Sequence, residues 1–527
     1  MNAWGKRRSV VALAVLGLAL AGCQSAAERA AAAMAQGQQL AAAGQYVAAQ
    51  QQFDLAVAAR DDLPELWMLR ARNQVALADY AGAFASYRNA LDQDRTNREA
   101  LDALAQLTLA SNRIDDAKDY AEQILALAPD DPTATLVVAT VAFRTGRYDT
   151  AADTVAKLLA QSPDNERALV LSSRLEQRRG RYTQAIALLA PIFDKSGGSD
   201  ELRKQLTDLY SRQSYATGLL AIARRDAADR PQDKVAQRAF GQRLAMVGQY
   251  GEAIAALDGA HKLELGDAER AATVRALADA EASPAALATA ASGSGTLQPD
   301  LILALAEYAI ARGDIASAAT ILSGPSGPLD TSTADREGAL AYIAAATGRI
   351  AEARQRAQAT LALDAGQPYA LMARALAALA SNDADAALRD ARTVVSDNQQ
   401  FATGYALLAR VLAARGDRML AEKAFFDANN ADRDDPLALR QLAAMLVARG
   451  RAADALSYVR SYTIRNPASL AGWTLRQDLC RRTGDAACAR RAGSLIARLH
   501  GANVVLPPVP ADELVGERDY RDEEPDA

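Results

Sequence analysis

Two histidines and three cysteines in 527 residues leave this chain poor in side chains that bind transition metals or act as nucleophiles. His261 and His500 stand far apart without companion ligands at zinc-site spacing, so neither a metal nor a cofactor is expected. No G-x-x-x-x-G-K-[ST] loop, H-E-x-x-H pair or nucleophile elbow occurs, so no phosphate-binding or hydrolytic motif offers an enzymatic reading. Aromatic residues are scarce at 5 %, although half of the chain is hydrophobic. That half is mostly Ala, Leu and Val, and Ala and Leu are strong helix formers, so close-packed helices are expected rather than sheets. Lys and Arg (59) do not outnumber Asp and Glu (64), and they form no stripe that could neutralise a phosphate backbone. No nucleic-acid partner is expected.

The first apolar run is also short. Lys6, Arg7 and Arg8 precede residues 9–21, which read SVVALAVLGLALA. About 20 residues would be needed to span a bilayer, so this is the charged and apolar leader of a secretory signal. It ends in Leu20-Ala21-Gly22-Cys23, which resembles the lipobox of bacterial lipoproteins. The resemblance implies cleavage before Cys23 and acylation of its thiol and new amine. Several acyl chains anchor where one would be marginal. Gln24 rather than Asp follows the cysteine, which by the same resemblance points to the outer membrane facing the periplasm, with the inner membrane as the alternative.

The body repeats at 34 residues. Gly44-Gln45-Tyr46 followed by Ala49 recurs as a Gly-x-Tyr-x-x-Ala step centred on 80, 114, 148 and 182, and again at 250, with Ala78 and Asn112 in the glycine place and Ile114 in the tyrosine place. A second series is centred on 315, 350, 384, 418, 452 and 486. A fixed period of this length marks an array in which no unit buries its apolar face alone.

The pattern resembles the tetratricopeptide repeat (TPR) family over about residues 30–500. Large residues Trp67, Tyr405 and Trp473 fall on position 4, Leu408 and Leu442 on position 7, and Ala409 and Ala443 on position 8. Phe53, Tyr87 and Phe425 fall on 24, Ala56, Ala90 and Ala428 on 27, and Pro129, Pro163 and Pro467 on 32. The large-large-small spacing at i, i+3, i+4 makes one apolar stripe on the first helix. Glycine at 15 lets that helix turn, and proline at 32 stops the second. The tyrosine at 17 recurs in about every other unit, as packing residues do and a single catalytic phenol would not.

The expected fold is therefore all-α, a TPR superhelix of about 14 helix pairs. Residues 201–230 lack the turn glycine, and 261–297 read as an atypical unit that divides the solenoid into two arms. The expected organisation is a signal peptide (1–22), a lipidated linker (23–29), a TPR array (30–260), the atypical joint (261–297), a second array (298–500) and a disordered acidic tail (501–527). The last seventeen residues of that tail hold eight acidic and two basic side chains. Cys480 and Cys488 flank the turn at Gly484, so a disulfide is expected there, with two buried thiols as the alternative.

The resemblance implies a concave groove lined by the first helices, with Met68, Arg72, Ala406 and Arg410 as candidate contacts for a protein or peptide. It implies a non-catalytic periplasmic scaffold of an envelope assembly or export machine, similar to TPR lipoproteins of exopolysaccharide and exosortase systems. The other readings are an adaptor for cell-wall hydrolases or synthases, and an enzyme with its site in the joint at 260–300, which shows few polar groups for acid–base work.

Overall fold

The computed structural model describes residues 25–323 and 333–506, which fall into two compact units divided between 192 and 193. Cys23, the leader, most of the loop after Ser323 and the acidic residues from 507 on lie outside the described residues.

In the first unit the helices are α1 (Ala26–Ala42), α2 (Tyr46–Ala59), α3 (Pro64–Ala76), α4 (Tyr80–Gln93), α5 (Arg98–Ala110), α6 (Ile114–Leu127), α7 (Pro132–Arg144), α8 (Tyr148–Gln161), α9 (Glu166–Arg178) and α10 (Tyr182–Ser196), in which the boundary falls. The second unit continues with α11 (Asp200–Arg212), α12 (Ala216–Asp229), α13 (Lys234–Met246), α14 (Tyr250–Leu263), α15 (Asp267–Asp279), α16 (Pro284–Gly293), α17 (Pro299–Ala311), α18 (Ile315–Ile321) and α19 (Ala334–Ala346). It ends with α20 (Ile350–Leu363), α21 (Pro368–Leu379), α22 (Ala384–Asp397), α23 (Ala402–Arg415), α24 (Arg418–Ala431), α25 (Pro436–Ala448), α26 (Ala452–Arg465), α27 (Leu470–Arg482) and α28 (Ala486–Leu499). The described residues hold no strand, and the twenty-eight helices make fourteen pairs of a TPR-like solenoid.

Each pair is built by the same two devices. The first helix commonly opens on a side-chain cap: Asn97, Asp131, Asn165, Ser199 and Ser469 each accept the amide three residues on, which satisfies an orphan donor of the first turn. It closes on a residue in the left-handed conformation. These are Gly44, Ala78, Asn112, Gly146, Gly180, Ser214, Gly248, Glu281, Gly313, Gly348, Asn382, Gly416, Gly450 and Gly484, one for every pair. The next amide then donates to the carbonyl five positions back, as Gln45 does to Leu40 at 2.9 Å and Ala282 to Leu277 at 3.1 Å. This is a Schellman turn, in which glycine carries no Cβ penalty. Five of the fourteen are not glycine (Ala78, Asn112, Ser214, Glu281 and Asn382), and a left-handed non-glycine residue costs roughly 1–2 kcal/mol.

The core between paired helices is made of small residues. Ala49, Ala83, Ala117, Ala151 and Ala185, one per unit at the 34-residue step, are fully buried. Ala409 and Ala421 are both buried in one apolar cluster that runs from Leu303 to Ala424. Phe53, Tyr87, Leu442 and Trp473 are buried as their repeat positions require.

Residues 261–297 lie inside the second unit, and α15 is set differently from other first helices. It packs on α13 and α17 and also on α25 and α27, which are more than 150 residues downstream. Side-chain bonds span the same interval. Arg275 pairs with Asp432, Arg440 with Glu281, and the Tyr462 hydroxyl donates to Asp279 Oδ1 at 3.1 Å. His500 Nδ1 lies 3.1 Å from the Met246 carbonyl oxygen, and Ser214 Oγ 3.4 Å from that of Pro467. The last repeats of this unit thus return to its first ones.

Candidate binding cavity

Beside the return lies an open-sided cavity of about 500 Å³ within the second unit. Its walls come from first helices: Arg270, Val274 and Arg275 of α15, Glu307 and Ala311 of α17, Pro368 and Tyr369 of α21, Ala402 and Thr403 of α23, and Leu437 of α25. The turn Asn398-Gln399-Gln400-Phe401 and the capping residue Asp435 complete it. That size suits a small organic group or a few residues of a peptide.

Its electrostatics centre on Arg270, which is 8 % exposed. Its Nη2 donates to Asp335 Oδ2 at 2.8 Å and pairs with Asp267, Nη1 lies 3.4 Å from Asp300 Oδ1, and Nε lies 3.8 Å from Glu307 Oε1. One guanidinium thus serves four carboxylates. Glu307 accepts no hydrogen bond among the described residues, and burial pushes its carboxyl up to about 8, with Arg270 opposing and Asp335, Asp267 and Asp300 adding to the rise. Asp435 is likewise raised by burial, to about 6, against the amide of Leu437 that it caps at 2.9 Å. Tyr369 and Phe401 meet edge to face at 5.5 Å between ring centres and give the wall an aromatic side.

Of the groove residues expected from the repeat pattern, Met68 is buried in a core cluster of the first unit with Ala71 and Leu101. Arg72 is exposed and held by both carboxylate oxygens of Glu99. Ala406 is half-buried and Arg410 exposed, and neither lies on the cavity wall, whereas Thr403 on the same helix does. The expectation of few polar groups in the joint is corrected: Glu269, Arg270, Asp279 and Glu281 all come from 261–297 and are each partnered inside the unit.

His261 is fully buried, with Nε2 3.0 Å from Thr273 Oγ1, and burial lowers its pKa, so it ties α14 to α15 as a neutral ring. Cys480 and Cys488 are joined across the Gly484 turn with Cα atoms 5.8 Å apart, both buried. No helix among the described residues is long and apolar enough to cross a membrane.

Residues 103–166 and 142–209 match family models described as Tetratricopeptide repeat. The segment is therefore TPR, and the helix pairs on both sides of it repeat the same hairpin. No curated protein matches the chain. Similar solved structures include a thermophilic TPR protein of Thermus thermophilus, 20 % identical over 34 % of this chain and 98 % of its own, with a TM-score of 0.28. PilW, a type IV pilus biogenesis factor, is 16 % identical over 38 % of this chain and 94 % of its own, with a TM-score of 0.33. YrrB, a TPR protein with an unusual peptide-binding site, is 15 % identical over 32 % and 88 %, with a TM-score of 0.29. At such scores these neighbours carry no argument about what this chain binds.

Proposed function

We propose that the chain is a non-catalytic scaffold, anchored by lipid at Cys23 in the outer membrane and facing the periplasm, that holds a protein segment for an envelope assembly or export machine. The observation that carries the binding role is the cavity: side chains from five first helices converge on one open-sided space, and TPR folds serve protein recognition. The leader ending in Leu20-Ala21-Gly22-Cys23 supports the anchor and the compartment. The absence of any catalytic motif from the sequence supports the non-catalytic reading.

The test is in situ photo-crosslinking from the full-length protein. A benzophenone side chain at Gln400, on the cavity wall, should trap a discrete protein adduct. The same group at Met419, 77 % exposed on a second helix, should not. Equal labelling from both positions would overturn the assignment of the cavity. Intact mass should show an acylated N-terminus at Cys23, and an unmodified one would remove the anchor.

A further inference from the structure

We infer that the cavity of the second unit receives a basic side chain, arginine or lysine, presented on the bound segment. This rests on the scaffold reading above and adds the chemistry of what is held.

Charge decides it. Three carboxylates line the wall, Asp267, Glu307 and Asp435, and both cations on it are already committed. Arg270 is shared among Asp267, Asp300, Asp335 and Glu307, and Arg275 pairs with Asp432. Six carboxylates therefore answer to two guanidinium groups in and immediately behind the wall. Glu307 is the one with spare capacity: it is 15 % exposed on its side chain, its nearest cation is 3.8 Å away, and it accepts no hydrogen bond among the described residues. A mostly buried carboxyl without a close partner, on the wall of a cavity open on one side, favours an arriving donor of positive charge. Phe401 and Tyr369 supply faces and edges for the aliphatic stem and the planar head of such a side chain.

A bare metal ion fits less well. Among the described residues the one His/Cys/Asp/Glu group whose ligand atoms lie within 4.8 Å of one another is Cys480, Asp485 and Cys488, far along the chain from this wall. The cavity's carboxylates are too dispersed to close on a single ion, but an extended organic cation with several donors can reach more than one. An acidic segment would find both wall cations already paired and no free positive charge to receive it.

Proton coupling follows. Burial holds Glu307 protonated up to about pH 8 in the empty cavity. A cation favours the ionised carboxyl, so binding releases a proton at neutral pH, and affinity rises as pH rises through about 8. The groups that face Glu307 and set this balance are Arg270, Asp267, Asp300, Asp335 and the Tyr369 phenol.

The experiment is titration of the full chain with three blocked peptides, Ala-Gly-X-Gly-Ala with X as Arg, Gln or Glu, at pH 6.5 and 8.5. The Arg peptide should bind about tenfold tighter than the Gln peptide, and several-fold tighter at the higher pH. Glu307→Gln should weaken it and remove the pH dependence, while the far-ultraviolet spectrum stays unchanged. Asp435→Asn should weaken it independently. Equal binding of the Arg and Gln peptides, or preference for Glu, overturns the basic class while leaving the scaffold reading in place. Absence of binding by all three up to about 1 mM overturns the basic class as well. If the Gln400 crosslink is also missing, the scaffold reading falls with it.

Discussion

In residues 25–192 helices pack on their neighbours in sequence, with first helices also meeting the next first helix (α1 on α3, α5 on α7, α7 on α9), and inter-repeat bonds reach the neighbouring repeat: Arg72 to Glu99, Arg98 to Asp131, Arg144 to the Leu109 carbonyl at 2.7 Å. Residues 193–506 use the same hairpin, the same left-handed turn and the same buried alanines, yet bonds in that unit reach across 157 to 254 residues. The difference shows that the repeat alone does not set the reach of its contacts. Repeats that stack are stabilised by nearest neighbours; repeats that return add long-range terms, and with them an interior.

The strongest way to break the comparison is to remove the cation at the centre of the closed unit. Arg270→Met leaves Asp267, Asp300, Asp335 and Glu307 without their shared partner, and breaking its mostly buried pairing with Asp300 costs up to about 3–5 kcal/mol. Hydrogen exchange should quicken across α15, α17, α25 and α27, while α1–α8 keep wild-type rates. Unchanged rates at α25 and α27 would mean that the return is not coupled to α15.

Overpacking should separate the units more finely. Ala117→Leu and Ala421→Leu both enlarge a buried residue beside a partner helix and should each cost about 1–3 kcal/mol. The first should disturb α3–α8 alone. The second should spread from α23 and α24 to α15 through α25. A neutral Ala421→Leu would place that residue outside the core.

The smallest effect comes from the turns. Ala78 holds the left-handed position with φ 58°. Ala78→Gly should relieve that strain and stabilise by up to about 1 kcal/mol in chemical denaturation. Ser214→Gly relieves the same strain but loses the Oγ contact to Pro467, so its gain should be smaller. Equal gains would show that the contact adds nothing.

Much of the fold could be read beforehand because the turn and the core recur in phase. Gly44, Gly146 and Gly484 declare a left-handed turn, and the alanine five residues on declares a close helix pair. Ser214 and Glu281 hid two turns, since serine and glutamate are ordinary residues in any helix and only the backbone reveals their conformation. The cavity was hidden for a different reason. Its walls come from residues as far apart as Asp267 and Leu437, and no local period records that they meet. Arg270 and Glu269 gave no signal because α15 is covered on several sides, which erases the one-sided apolar stripe by which covered helices are recognised.

The bond between His500 and Met246 also has a meaning in time. These residues are separated by 254 positions, and ribosomes add roughly 5–20 residues per second. For about ten to fifty seconds the early helices of the second unit exist before the helices that cover them have been made. During that interval the first unit can finish stacking pair by pair, while α15 waits with its far side open. A newborn chain is thus half complete and half exposed, and any protein that shelters it has that window, and that helix, in which to act.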